Sequence, residues 1–125
     1  MPSTRHLTIA FAASRIAFGA GLIAAPGTVA GRWLGKDAAR EPVKVALRGL
    51  GARDIALSAG ALAALDDPDQ LAVLLGVTIA SDLTDLAATL AVPAGQLPDN
   101  ARVGTVVLAG AGAAVGAALL AAVKR

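Results

Sequence analysis

Hydrophobic positions in this chain come in long runs, and no stretch shows the apolar and polar alternation of a half-buried strand. The clearest run, Val103 to Val123, holds 21 residues without a charge. At about 1.5 Å per residue it is long enough to cross a hydrocarbon layer of about 30 Å. Pro98, Asp99 and Asn100 form a turn before it, with Asp99 placed to cap the helix, and Lys124 and Arg125 follow at the end where cations are favoured. Three further runs have similar length but contain charges: Leu7 to Ala25, Val43 to Leu65 and Leu71 to Val92. Pro26-Gly27 ends the first, Glu41-Pro42 opens the second, Asp66-Asp67-Pro68-Asp69 separates second from third, and Pro93 closes the third. The pattern predicts one all-α integral membrane domain over residues 1–125, with helices at 7–25, 43–65, 71–92 and 103–123. Short connections make it a four-helix transmembrane bundle running up-down-up-down. Between the first two helices, Val29, Trp33 and Leu34 lie amid Arg32, Lys36 and Arg40. This composition suits a short segment at the lipid headgroups, with Trp33 as its interface marker.

Composition agrees with lipid as the solvent. Charged residues make up 16% of the chain, against about a quarter in an ordinary soluble domain. One Trp, two Phe and no Tyr leave packing to small side chains and close backbone approach, and offer no large aromatic cage for a ligand. The formal charge is only +2, and its Lys and Arg residues are scattered without aromatic residues among them, so nucleic acid is not an expected partner. The absence of Cys excludes disulfides and thiol chemistry. Arg5 followed by an apolar run resembles a signal peptide. Arg15 interrupts that run and no small-x-small cleavage site follows, so the segment is expected to be a retained helix. Arg32, Lys36, Arg40, Lys44 and Arg102 fall on one side of the bundle and Arg5, Lys124 and Arg125 on the other. The positive-inside rule then favours both termini outside the membrane.

Six ionisable residues fall inside the predicted spans: Arg15, Arg48, Arg53, Asp54, Asp82 and Asp85. Each costs about 2.5 to 3.5 kcal/mol at a helix centre, so all six are expected to face the bundle interior and pair, three positive against three negative. Depth along antiparallel helices puts Arg48 level with Asp85, and Arg15 or Arg53 level with Asp82 or Asp54. Thr78, Asp82, Asp85 and Thr89 recur at i, i+4, i+7 and i+11 on one stripe of the third helix. Asp82, Asp85 and Asp54 are the candidate acid/base groups, and Arg15, Arg48, Arg53, Thr78 and Thr89 the candidate ligand contacts. Arg48 and Arg53 lie about 140° apart around their helix, so they do not share one partner on one face. Gly49 and Gly51, with Gly112-x-x-x-Gly116 in the last helix, are expected at close helix contacts.

Other motifs are weaker. His6 stands alone, no metal constellation appears, and no cofactor is expected. Ser14, Ser58 and Ser81 lack a His partner for nucleophilic catalysis, and Gly19-Ala20-Gly21 lacks the rest of a dinucleotide loop. With the Arg-x-x-Gly-x-Arg-Asp run of residues 48–54 and Asp82-x-x-Asp85, the chain resembles a family of small bacterial four-span membrane proteins known only as a domain of unknown function. That resemblance implies the four-span fold and the importance of Arg48, Arg53, Asp54, Asp82 and Asp85, and brings no mechanism. Three functions stay open on the residues themselves. The first is a polar site that binds or translocates a small or lipid-like species, with membrane lipid and a homo-oligomer or larger membrane complex as partners. The second is an intramembrane isomerase, hydrolase or cyclase using Asp acid/base chemistry on a lipid or isoprenoid. The third is an ionic network that only fixes helix packing.

Overall fold

Residues 3–125 are described by a computed structural model, and among them helices account for all regular structure. They are α1 (Thr4–Ala24), α2 (Pro26–Leu34), α3 (Glu41–Ala63), α4 (Pro68–Leu90) and α5 (Asp99–Val123), with a 3-10 turn at Gly35–Ala39 after α2. Capping side chains set two of the starts. Ser3 accepts a hydrogen bond from the His6 backbone N–H at 3.2 Å, and Asp67 accepts one from Gln70 at 3.1 Å, so α1 and α4 begin ahead of the apolar runs themselves. His6 is drawn into the first of these caps, its Nδ1 lying 2.9 Å from the Ser3 hydroxyl. At α5 the expected cap is corrected: Pro98 occupies the cap position and Asp99 lies inside the first turn without a capping bond. There its carboxylate still faces the positive end of the helix dipole.

Helices α1, α4 and α5 are long and apolar enough to cross a membrane, with mean hydropathies of 1.7, 1.6 and 2.3. Of the four expected spans, these three qualify by length and hydropathy. α3 has the length, 23 residues, but Glu41, Lys44, Arg48, Arg53 and Asp54 lower its hydropathy. Leu7, Val73, Leu83, Leu90, Val103 and Val107 are all exposed on the three apolar helices, an outer surface that water disfavours.

The long helices run antiparallel in succession, and the closest packing is of α1 on α3 and of α4 on α5. The first pair meets backbone to backbone. A Cβ added to Gly51 would lie 2.5 Å from the Gly19 carbonyl oxygen, and one on Gly19 would lie 2.5 Å from that of Gly51. In the second pair Gly116 faces Ile79 and Gly112 faces Asp82, so the Gly112-x-x-x-Gly116 face packs within the chain. Gly49 departs from expectation: it borders open space and touches no helix.

Two apolar clusters hold the ends. Ala61, Ala64, Leu71, Leu75 and Leu119 pack near the termini, and Leu22, Ala30, Ala38 and Leu47 pack beneath α2. α2 turns Val29, Trp33 and Leu34 inward and leaves Arg32 exposed. Trp33, expected as an interface marker, is half-buried in this packing. Its ring stacks on Phe18 with centroids 5.8 Å apart, and its Cβ presses on Gly104, where an added Cβ would come within 2.6 Å.

Candidate functional site

An ionic layer crosses the middle of the bundle. Phe11, Arg15 and Phe18 recur at i, i+4 and i+7 and so share one face of α1. From there Arg15 reaches α4: its Nη1 donates to Asp82 Oδ2 at 2.7 Å and its Nη2 to Asp82 Oδ1 at 2.9 Å, a bidentate fork. The same Nη2 donates to Asp54 Oδ1 of α3 at 3.1 Å. A second fork joins Arg53 to Asp85, Nη2 to Oδ2 at 2.7 Å and Nη1 to Oδ1 at 3.4 Å. Arg53 Nη2 also lies 3.9 Å from Asp54 Oδ1, so the forks meet at Asp54 and the five side chains form one network.

α5 contributes space to this network. A Cβ on Gly112 would come within 2.5 Å of Asp82 Oδ2 and 2.8 Å of Arg15 Nη1, so only glycine lets the fork close against that helix. Burial is graded across the layer. Asp82 and Asp54 are 3% and 4% exposed, whereas the Arg53 and Asp85 side chains are 32% and 34% exposed. Among the described residues, the buried Nε–H groups of Arg15 and Arg53 have no hydrogen-bond partner. Each unpaired buried donor costs on the order of 1 to 3 kcal/mol.

A cavity of about 580 Å³ opens from the layer toward α2. Phe11, Phe18, Trp33, Leu34, Leu47 and Leu50 form one wall; Thr105, Leu108, Ala109 and Val115 of α5 form the other. Its volume falls within the range of small-molecule sites. Ser14 and Ala111, both mid-helix and exposed, flank the cavity, so it opens sideways between α1 and α5.

Several expected site residues take other places. The Arg48–Asp85 pair does not form. Arg48 is exposed, and its Nε donates to the Ile23 carbonyl at 3.1 Å, one of the free acceptors at the end of α1, while Arg53 takes Asp85. Arg102 does the same for α4, donating to the carbonyls of Val92 at 2.8 Å and Thr89 at 3.2 Å. The expected balance of three against three thus becomes two guanidinium groups against three carboxylates. Thr78 is buried outside the cavity with its hydroxyl donating to Leu74 of its own helix, whereas Thr89 lines the cavity and donates to the Asp85 carbonyl.

The composition concealed one feature of the wall. All three aromatic side chains of the chain, Phe11, Phe18 and Trp33, line this cavity. The i, i+4, i+7 spacing around Arg15 was the sequence signal for two of them. Among the described residues no group of His, Asp and Glu is placed to hold a metal ion. No family model, curated protein or solved structure matches the chain.

Proposed function

We propose that the chain is an integral membrane protein with α3 as its fourth span, and that the lateral cavity binds a small amphipathic molecule. The apolar body lies on the aromatic and aliphatic wall and the polar end on the Arg15, Arg53, Asp54, Asp82 and Asp85 layer. The observation that carries this reading is that one space joins an apolar wall to an ionic floor. α3 is compatible with lipid because Arg53 and Asp54 turn inward, and Lys44 and Arg48 lie near the α2 end, where long stems reach the headgroups. Beyond Lys44 its other exposed residues, Arg48 aside, are Val45, Ala46, Gly49, Ala52, Ala56, Ala59 and Ala63, all small or apolar. A network that only fixed packing would gain by filling the cavity and pairing both Nε–H groups, so these features weigh against it. Acid/base catalysis on a lipid-soluble substrate is the second reading, favoured by the sideways mouth and by the partial exposure of Asp85.

The absence of Cys makes the topology directly testable. Single Asp37→Cys and Asp67→Cys variants, on the two sides of α3, are expected to react with an impermeant maleimide from opposite faces of the membrane; reaction from one face removes α3 as a span. Native mass spectrometry of protein extracted in mild detergent is expected to show a retained small molecule or lipid that Thr105→Trp, which fills the cavity wall, excludes. Identical spectra from both proteins would remove the binding reading. Conversion of the retained molecule, abolished by Asp85→Asn, would move the assignment to catalysis.

A further inference from the structure

The ionic layer is not neutral, and its imbalance has a sign. Two guanidinium groups, Arg15 and Arg53, face the three carboxylates of Asp54, Asp82 and Asp85, so the ionised layer carries one negative charge in excess. Neighbouring cations are engaged elsewhere: Arg48 serves the end of α1, Arg102 serves the end of α4, and Arg32 of α2 is exposed. α5 is uncharged from Val103 to Val123. The excess centres on Asp54. It is 4% exposed, lines the cavity, and receives one hydrogen bond, from an Arg15 nitrogen that Asp82 shares at shorter distance. In a low-dielectric interior such an excess is relieved by a proton or by a bound cation, and the open cavity beside Asp54 gives a cation room to reach it. The aromatic side chains supply a second, independent observation. In a chain with only three of them, all three line this cavity: Phe11 holds the Arg15 guanidinium 5.5 Å from its centroid, and Phe18 and Trp33 stack on each other and offer an apolar seat for the body of a ligand.

We infer that the molecule bound in this cavity carries one positive charge on an apolar body, an amine or quaternary ammonium, with the charge at Asp54 and the body against Phe18 and Trp33. The inference rests on the binding reading above and narrows it to one sign of charge. The ammonium group belongs either to a free lipophilic amine or to the headgroup of a zwitterionic lipid.

The test is calorimetric titration of the full chain in a neutral maltoside detergent with three probes of similar size: benzyltrimethylammonium, phenylmethanesulfonate and benzyl alcohol. The cation is expected to bind at least about tenfold tighter than the other two, the scale of one partly screened charge contact. Asp54→Asn is expected to abolish that preference while leaving benzyl alcohol affinity within about twofold, which also reports an intact cavity. If Asp54→Asn loses its helical spectrum, Asp85→Asn is read instead, since it frees Arg53, 3.9 Å from Asp54 Oδ1, to pair with Asp54 and so cancels the excess charge. Competition by dihexanoylphosphatidylcholine assigns the ammonium to a lipid headgroup, and its failure to compete assigns it to a free amine; both outcomes require the cation preference and support the inference. Saturable binding of the anion or the alcohol as tight as that of the cation overturns the inference alone. A cation preference that survives in the folded Asn variant overturns it too. No saturable binding of any probe overturns it together with the cavity reading.

Discussion

Replacing Arg15 with Met tests whether the ionic layer organises the bundle. Arg15 makes three charge-assisted hydrogen bonds, at 2.7, 2.9 and 3.1 Å, to two nearly inaccessible carboxylates. Adding three separate bond energies would overcount, because one side chain makes all of them and its own desolvation offsets part of the gain. The better measure is the cost of leaving a buried charge without its partner, about 3 to 5 kcal/mol. Loss of the guanidinium from the Phe11 ring adds about 0.5 to 1 kcal/mol. Arg15→Met is therefore expected to destabilise by about 3.5 to 6 kcal/mol, measured as SDS-induced unfolding in mixed micelles followed by far-UV circular dichroism. Arg15→Met combined with Asp82→Leu removes both halves of the fork and is expected to recover roughly 2 kcal/mol of that loss. A single-variant loss below about 1 kcal/mol, or a double variant as unstable as the sum of the singles, would refute the argument that these charges hold one another in place.

Two glycines in α3, two residues apart, are expected to behave in opposite ways. Gly51→Ala forces its Cβ onto the Gly19 carbonyl and should cost about 1 to 3 kcal/mol in the same assay, whereas Gly49→Ala points into open space and should stabilise by about 0.5 to 1 kcal/mol. Arg102→Met strips the donors from the end of α4 and should cost about 1 to 2 kcal/mol, with earlier hydrogen exchange at residues 89–92. Arg5→Gln, which breaks a pair between two well-exposed side chains, should change the midpoint by no more than about 0.5 kcal/mol.

The helices were largely legible because Pro, Gly and Asp punctuate the apolar runs, and the same residues terminate helices for steric and capping reasons. Their exact starts were less so, since Ser3 and Asp67 extend α1 and α4 beyond the hydrophobic pattern. Within one helix, spacing correctly gathered Asp82, Asp85 and Thr89 on one face. Between helices it failed to choose Arg53 over Arg48 for Asp85. Sequence spacing gives neither the rotation of one helix against another nor the reach of an arginine, whose stem spans about a helical turn. Nor did it anticipate that the carbonyls left free at the end of α1 would engage Arg48. The part of Trp33 in the cavity wall was not legible either: a tryptophan near basic residues suits headgroups and a cavity wall alike, and spacing does not show α2 folding over Phe18.

The position of Trp33 also has a practical consequence. It is the sole indole of the protein and part of the cavity wall, so the intrinsic fluorescence of the unmodified chain reports on that one compartment. Anything that enters, dries or floods the compartment should alter the emission, which permits compound collections to be surveyed optically without attaching a dye.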